Sequence, residues 1–176
     1  MEQLLVLVDD HDNPIGVAEK LEAHRSGHLH RAFSIFIFDS DGNLLLQKRA
    51  QTKYHSGNLW SNTCCGHPRP NESTKDAAER RLVEEMGFIC ELEEIFSFIY
   101  RVKVDETLFE HEFDHVFIGR FGGSPTPNPE EVSDWKWVAI GELEKDIACE
   151  PEKYSYWLKI SLEKVLRMHQ QNRIFA

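Results

Sequence analysis

Between Gly66 and Gly87 the chain runs GHPRPNESTKDAAERRLVEEMG, a punctuated segment whose spacing restricts the fold more than any other stretch. Pro68 and Pro70 mark its first part as loop, since each fixes φ and has no N–H to give. Ser73 or Thr74 then offers an N-cap and Gly87 a C′ residue, so the spacing predicts a helix over Ser73–Met86. Ala78, Leu82 and Met86 form its apolar stripe, with Arg81 and Glu85 about 40° apart on the adjoining flank. Five residues separate Gly66 from Glu72 and seven separate Glu72 from Arg80, ahead of Glu84-Glu85 and Gly87. Charged, well-capped helices are common; this many spaced positions falling together are not.

Around this segment the alternation of apolar and polar residues marks strands. Leu4–Asp9 is turned by Asp12-Asn13-Pro14 into Ile15–Ala18, and Arg31–Asp39 with Leu44–Lys48 flank Asp41-Gly42 as a hairpin. Leu59–Cys65 reads as extended, and further strands are expected at Phe88–Val104, Leu108–Phe121 and Trp135–Val138. Helices are expected over Ile140–Ile147 and Pro151–Gln170. Strands and helices that do not strictly alternate imply an α+β fold, an α/β sandwich whose mixed sheet is flanked by helices. The GGSPTPNP stretch at Gly122–Pro129 is a short connection and nothing marks a boundary, so residues 1–176 read as a single domain.

Charge limits the partners. Twenty Lys and Arg against 30 Asp and Glu leave a formal charge of −10, a surface that repels nucleic acid and anionic membrane. An anionic ligand must then be met by a local basic cluster. No apolar run approaches the roughly 20 residues of a membrane span, and Met1-Glu2-Gln3 supplies no basic start for a signal peptide. Cys64, Cys65, Cys90 and Cys149 fit neither a zinc knuckle nor a disulfide framework, so reduced thiols and a cytoplasmic protein are expected.

The Gly66–Gly87 spacing resembles the Nudix signature, a loop–helix–loop that in its family holds divalent metal and a diphosphate. One position departs from it: the signature continues Arg-Glu where this chain has Arg80-Arg81. An arginine there exchanges a metal ligand for a phosphate-binding fork and changes the local charge by two units. The preceding Trp60-Ser61-Asn62-Thr63-Cys64-Cys65-Gly66-His67-Pro68 is similar to the Trp-x-Asn-x-x-Cys-Gly-His-Pro stretch of the type I isopentenyl-diphosphate isomerases, Nudix-like enzymes. That resemblance extends from Glu19-Lys20 through Trp157.

It implies a set of site residues beside what the residues themselves suggest. In Leu108–Val116 the period of two puts Glu110, Glu112 and Asp114 on one face and Phe109, Phe113 and Phe117 on the other, which the three aromatic rings mark as the core side. Clustered acids are costly unless solvated, paired or metal-bound, and alone they suit the wet face of an edge strand equally well. The resemblance implies a metal site of His24, His30, His67, Glu110 and Glu112, a set suited to zinc, manganese or magnesium. His28 is an alternative to His24 or His30, while His11, His55, His111, His115 and His169 read as surface residues. Lys20, Arg49, Lys53 and Arg81 match positions that grip the substrate diphosphate, with Arg69 a further contact. A magnesium ion would join the diphosphate to Glu85 with help from the Cys65 carbonyl.

The isomerase reaction interconverts isopentenyl and dimethylallyl diphosphate by a reversible allylic proton shift through a tertiary carbocation. The resemblance implies Cys65 and Glu112 as the proton-exchanging pair, Tyr100 as the hydroxyl on Glu112 and Trp157 as the aromatic face toward the hydrocarbon. Cys64, one residue on in an extended chain, points the other way and reads as core, and Trp60 as packing. Trp157 also suits a plain anchoring role, because Leu158, Leu162 and Val165 follow at helical spacing. Divalent metal and no flavin, a small-molecule diphosphate, and a monomer or small homo-oligomer are expected, with residues 1–30 folding over the site. The alternative enzyme is a Nudix pyrophosphohydrolase, against which Arg81 and the Cys65-Gly66-His67 context argue. A catalytically silent binding domain would lack residues such as Cys65 or Glu112, and both are present.

Overall fold

The strand His30–Phe38 is buried along nearly its whole length and organises everything else. Its run of Phe and Ile side chains on both faces is the pattern of a strand covered from two sides. In the computed structural model, which describes residues 4–53 and 55–174, eight further strands and four α-helices accompany it among the described residues. The strands are β1 (Leu4–Val8), β2 (Pro14–Glu19), β3 (His30–Phe38), β4 (Leu44–Arg49), β5 (Trp60–Ser61), β6 (Cys64–Gly66), β7 (Leu92–Lys103), β8 (Phe109–Arg120) and β9 (Val132–Val138). The helices are α1 (Lys20–Ser26), α2 (Thr74–Met86), α3 (Ile140–Cys149) and α4 (Tyr156–Ile174). Residues 1–3 of the expected N-terminal segment, and the last two of the chain, lie outside the described residues.

One edge of β3 is filled by β8, parallel and in register from His30↔Glu112 to Phe38↔Arg120, and β7 continues the sheet antiparallel to β8. The other edge takes three partners in turn: β1 at His30, β6 at Phe33–Ile35, and β4 only at Phe38↔Leu44. The expected hairpin around Asp41-Gly42 is thus present as a turn, but its strands part at once, and β4 pairs instead with β9 and β5. Parting strands leave backbone groups that must find other partners. Buried side chains supply them: Asn62 Nδ2 donates to the Ile35 and Cys64 carbonyls, and Thr63 Oγ1 donates to the Leu45 carbonyl and accepts from the Ile37 N–H. The split is therefore stitched by the residues that lead directly into Cys64-Cys65.

Two cores lie on the two faces of the mixed sheet, the α+β sandwich expected. On one side Phe33, Ile35, Ile37 and Cys64 pack with Ala77, Ala78, Leu82 and Met86 of α2. On the other, Phe36, Phe38, Val116 and Ile118 pack with Leu143 of α3 and Leu158, Leu162 and Val165 of α4. Helix α2 falls where its caps require: Ser73 accepts from the Asp76 N–H, and Gly87 closes it at φ 74°. A Cβ on Gly87 would run into the Thr126 backbone carbonyl, so both its dihedral and its crowding require glycine.

Three elements differ from the sequence expectation. Helix α1 was not anticipated; it has seven residues, too few for periodicity to register, and is capped by Glu19, whose carboxylate accepts from the Leu21 and Glu22 N–H groups. The expected Pro151–Gln170 helix is divided into a 3₁₀ turn at Pro151–Lys153 and α4, because Tyr154 is drawn into a bridge with Trp60 and the Ser155 N–H donates to the Trp60 carbonyl. The third is the sidedness of β8. Its acids, Glu110, Glu112 and Asp114, are the buried side, whereas Phe109 and Phe113 are half exposed and only Phe117 is core. The aromatic rings marked the wrong face because the acids are paired inside the protein.

Candidate active site

The buried acids of β8 meet histidines delivered by three other elements. His24 comes from α1, His30 opens β3 beside Glu112, and His67 follows β6. All five side chains are buried, and one ligand atom from each lies within 4.8 Å of every other. His67 Nε2 is 2.9 Å and His30 Nε2 3.7 Å from Glu112 Oε1, and His24 Nε2 is 3.2 Å from Glu110 Oε2. The opposite ring nitrogens fix the tautomers: His24 Nδ1 faces the Lys20 carbonyl at 2.6 Å and His30 Nδ1 the His28 carbonyl at 2.8 Å. A nitrogen facing a carbonyl must carry the proton, so a neutral ring aims its Nε2 lone pair at the carboxylates. His30 Nε2 is buried with no hydrogen-bond donor or acceptor satisfying it. Lone pairs converging in a buried space, each ring braced by a carbonyl behind it, fit a divalent cation. His28 gives its backbone carbonyl to this arrangement and its ring is not among the five.

Three acids on one strand face are made compatible by different means. Burial and the charge of Glu110 push the Glu112 carboxyl up, but the contacts from His30 and His67 outweigh them and hold it below the usual range. Glu110 is held lower still by His24 and His55 against its burial. Asp114 has no such partners; burial and the neighbouring Glu112 push its carboxyl well above the usual range, and Ser34 Oγ donates to it at 2.8 Å.

A cavity of about 350 Å³ opens beside this cluster, lined by Cys65, Glu112, Tyr100, Trp157 and the cations Lys20, Arg49, Lys53 and Arg81. Cys65 reaches it because β6 pairs Cys65 with Ser34, on the α4 face, while Cys64 pairs with Ile35 and is buried in the α2 core, as the alternation predicts. The Cys65 thiol is pushed up to about 12 by burial, with Glu85 and Glu112 adding to the shift and the Arg49 guanidinium opposing it. It is a protonated thiol at neutral pH. Tyr100, opposite Glu112 across β7 and β8, donates its hydroxyl to Glu112 Oε2 at 2.6 Å, and burial with the Glu112 charge keeps that phenol protonated.

Trp157 lines the same space with its indole fixed by a 2.9 Å hydrogen bond to Ser61 Oγ and the Arg49 guanidinium 5.1 Å from its ring centre. Trp60 does not line the cavity; it packs beside the second core with Lys136 over its ring. Arg49 is nearly enclosed, donating to the Ser56 and His55 carbonyls and lying 3.9 Å from Cys65 Sγ. Arg81 pairs with Glu85, Glu84 and Glu131, and Lys53 with Glu131. Glu85 is buried, with Gln47 Nε2 donating to its second oxygen at 2.9 Å. Arg69 is exposed, pairs with Glu84 at 4.0 Å and does not line the cavity.

Two histidines read as surface residues are buried. His169 stacks on Phe38 with ring centres 3.9 Å apart. His55 lines the cavity with Nε2 2.5 Å from Glu110 Oε1. Of the other three, His11 is exposed beside Asp10, His111 rests on the Gly27 carbonyl, and His115 lies between Asp12 and Glu94. His55 stands in a polar loop with no spacing that ties it to β8, so only the fold could reveal its partner.

The NUDIX domain family matches residues 28–158. The chain is 57% identical over 172 residues to isopentenyl-diphosphate Delta-isomerase 2 of Aromatoleum aromaticum, covering 98% of this chain and 91% of that one. It is 58% identical over 159 residues to isopentenyl-diphosphate Delta-isomerase 2 of Photorhabdus laumondii, covering 90% of each. Among solved structures, DR0079 from Deinococcus radiodurans superposes with a TM-score of 0.75 over 94% of this chain and 98% of that one at 23% identity. A MutT Nudix hydrolase from Burkholderia pseudomallei follows with a TM-score of 0.62 over 78% of this chain and 98% of that one at 21% identity. The structural likenesses establish the fold, which hydrolases share, and the sequence identities decide within it: the chain belongs to the isopentenyl-diphosphate Delta-isomerases, built on the Nudix fold.

Proposed function

We propose that this protein is an enzyme that interconverts isopentenyl and dimethylallyl diphosphate by a reversible allylic proton shift. The observation that carries the reading is that a thiol, Cys65, and a carboxylate bonded to a tyrosine, Glu112 with Tyr100, open on one cavity lined by Trp157 and four cations. Adding a proton to an unactivated alkene gives a tertiary carbocation, so the reaction needs two proton-exchanging groups, cation stabilisation and exclusion of water. Cys65 and Glu112 are the pair, and reversibility requires each to give and to take the proton. Tyr100 orients Glu112 through its hydroxyl. The Trp157 indole face stabilises the cation by about 2 kcal/mol in a desolvated site. Lys20, Arg49, Lys53 and Arg81 bind the diphosphate; enclosed Arg49 and paired Arg81 are forks suited to its oxygens. Arg81 at a position where a hydrolase concentrates carboxylate supports transfer of a proton rather than attack by water.

His24, His30, His67, Glu110 and Glu112 would hold a divalent ion, zinc, manganese or magnesium, and Glu85 with the Cys65 carbonyl the magnesium that accompanies the diphosphate. When bound, such ions supply fixed positive charge that offsets the buried carboxylates and the diphosphate. The shift moves a proton and leaves the oxidation state of the substrate unchanged, so no flavin is required. We assign the whole chain to one domain in which residues up to 30 cover the site, supported by Lys20, His24 and His30 lying in that stretch. No helix among the described residues is long and apolar enough to cross a membrane. The substrate is a small diphosphate and the surface charge of −10 disfavours nucleic acid. A cytoplasmic monomer or small homo-oligomer completes the reading.

The test is turnover of isopentenyl diphosphate with magnesium and manganese, read as the appearance of an acid-labile allylic diphosphate. Cys65→Ala and Glu112→Gln should each abolish it with the fold intact. Release of phosphate from the wild-type protein instead would contradict the assignment.

A further inference from the structure

His55 has no part in the reading above, yet it lies against the metal cluster. It is 6% exposed, and its Nε2 is 2.5 Å from Glu110 Oε1. The other oxygen of the same carboxylate turns to His24 Nε2 at 3.2 Å. The Ser56 hydroxyl beside Nδ1 can donate to it, which leaves the ring proton of His55 on Nε2, the nitrogen that faces Glu110 Oε1. A ring nitrogen committed to Glu110 in this way has no lone pair for a metal, and no atom of His55 belongs to the five-atom cluster.

The ring is itself held. Its Nδ1 is 3.1 Å from Ser56 Oγ, its plane stands edge-on to Trp157 at 6.2 Å, and its carbonyl accepts from Arg49 Nη2 at 3.3 Å. Lys53, two residues earlier in the same loop, lines the cavity. The connection from β4 to β5 therefore carries a cation for an anion, Lys53, and a donor for a metal-site carboxylate, His55.

We infer that His55 is a positioning residue of the metal centre: its Nε2–H holds one oxygen of Glu110 and leaves the other to the metal. This rests on the metal reading proposed above. Partners of this kind behind a ligating carboxylate are worth about 10- to 100-fold in metal affinity.

The test compares wild type, His55→Phe and His55→Gln, the last returning an N–H donor near the Nε2 position. Manganese affinity of the metal-free proteins is measured by chelator competition, the electron paramagnetic resonance spectrum of the bound ion is recorded, and thermal melts without metal report folding. Phe should weaken manganese binding about 10- to 100-fold and broaden the spectrum, while Gln recovers most of the affinity. Wild-type affinity in His55→Phe would overturn the inference while leaving the metal site standing. Equal weakening in Phe and Gln, both folded, would overturn it in favour of simple packing. A wild-type protein that binds no manganese would overturn the metal reading and this inference together.

Discussion

At the scale of single residues, the site depends on groups kept in charge states they would not hold in water. Tyr100 touches Glu112 through one 2.6 Å hydrogen bond. Tyr100→Phe removes that donor with little change of shape, and a lost bond to a charged group costs about 1.5–3 kcal/mol. We predict a fall of about 10- to 100-fold in kcat with KM nearly unchanged; an unaltered kcat would remove Tyr100 from the mechanism. Cys65 gives a pH prediction. Its thiol titrates near 12 because it is buried, so only the rare thiolate reacts below that pH. Iodoacetamide labelling of Cys65, followed by peptide mass mapping, should rise about tenfold per pH unit from about pH 8 to 11, whereas a plateau near neutral pH would show a thiolate already formed. The sequence made Cys65 legible because its contrast with Cys64 depends only on alternation. His55 was not legible, since its partner Glu110 is 55 residues away across a loop with no periodicity.

At the scale of elements, the place of the Cys65 thiol depends on the split between β3 and β4. β6 fills that split, and the side chain of Asn62 ties it to β3 at the Ile35 carbonyl. Asn62→Ala removes two buried hydrogen bonds, at about 1–3 kcal/mol of lost stability. Urea unfolding should show that loss together with reduced activity; full stability would mean that water or another donor takes over. The helix α2 could be located from sequence because its cap and its closing glycine are local signals. The split could not, because partner exchange along one strand edge is settled by tertiary pairing, and Asp41-Gly42 signals only the turn. The sidedness of β8 was misread for a related reason: hydrophobic faces are the usual guide to burial, and here charge pairing buries the acidic face instead.

At the scale of the whole molecule, elements far apart in sequence are joined at one charged centre. α1, β3, the segment after β6, and β8 each contribute to the buried His/Glu cluster that could hold a metal ion. A cation bound there should stabilise the folded chain globally, by about 4 kcal/mol at a thousandfold excess over its dissociation constant. For a chain of this length that is a rise of about 10 °C in Tm, reversed by chelator; an identical melt with and without metal would count against the cluster as a binding site. The fold class was readable because the Gly66–Gly87 segment and its lead-in carry several fixed spacings at once, and the resemblance they support named residues that the fold gathers around one cavity and one cluster. The joining of distant elements is a property of the folded sheet alone.

The most direct test of the whole account is the fate of hydrogen at the substrate carbons. Protein with magnesium, manganese and isopentenyl diphosphate is incubated in deuterated water and followed by proton NMR. The account predicts dimethylallyl diphosphate carrying deuterium in its methyl groups, formed by the wild type and absent with Cys65→Ala. Phosphate release without the allylic product, or no exchange and no product with both metals present, would contradict it.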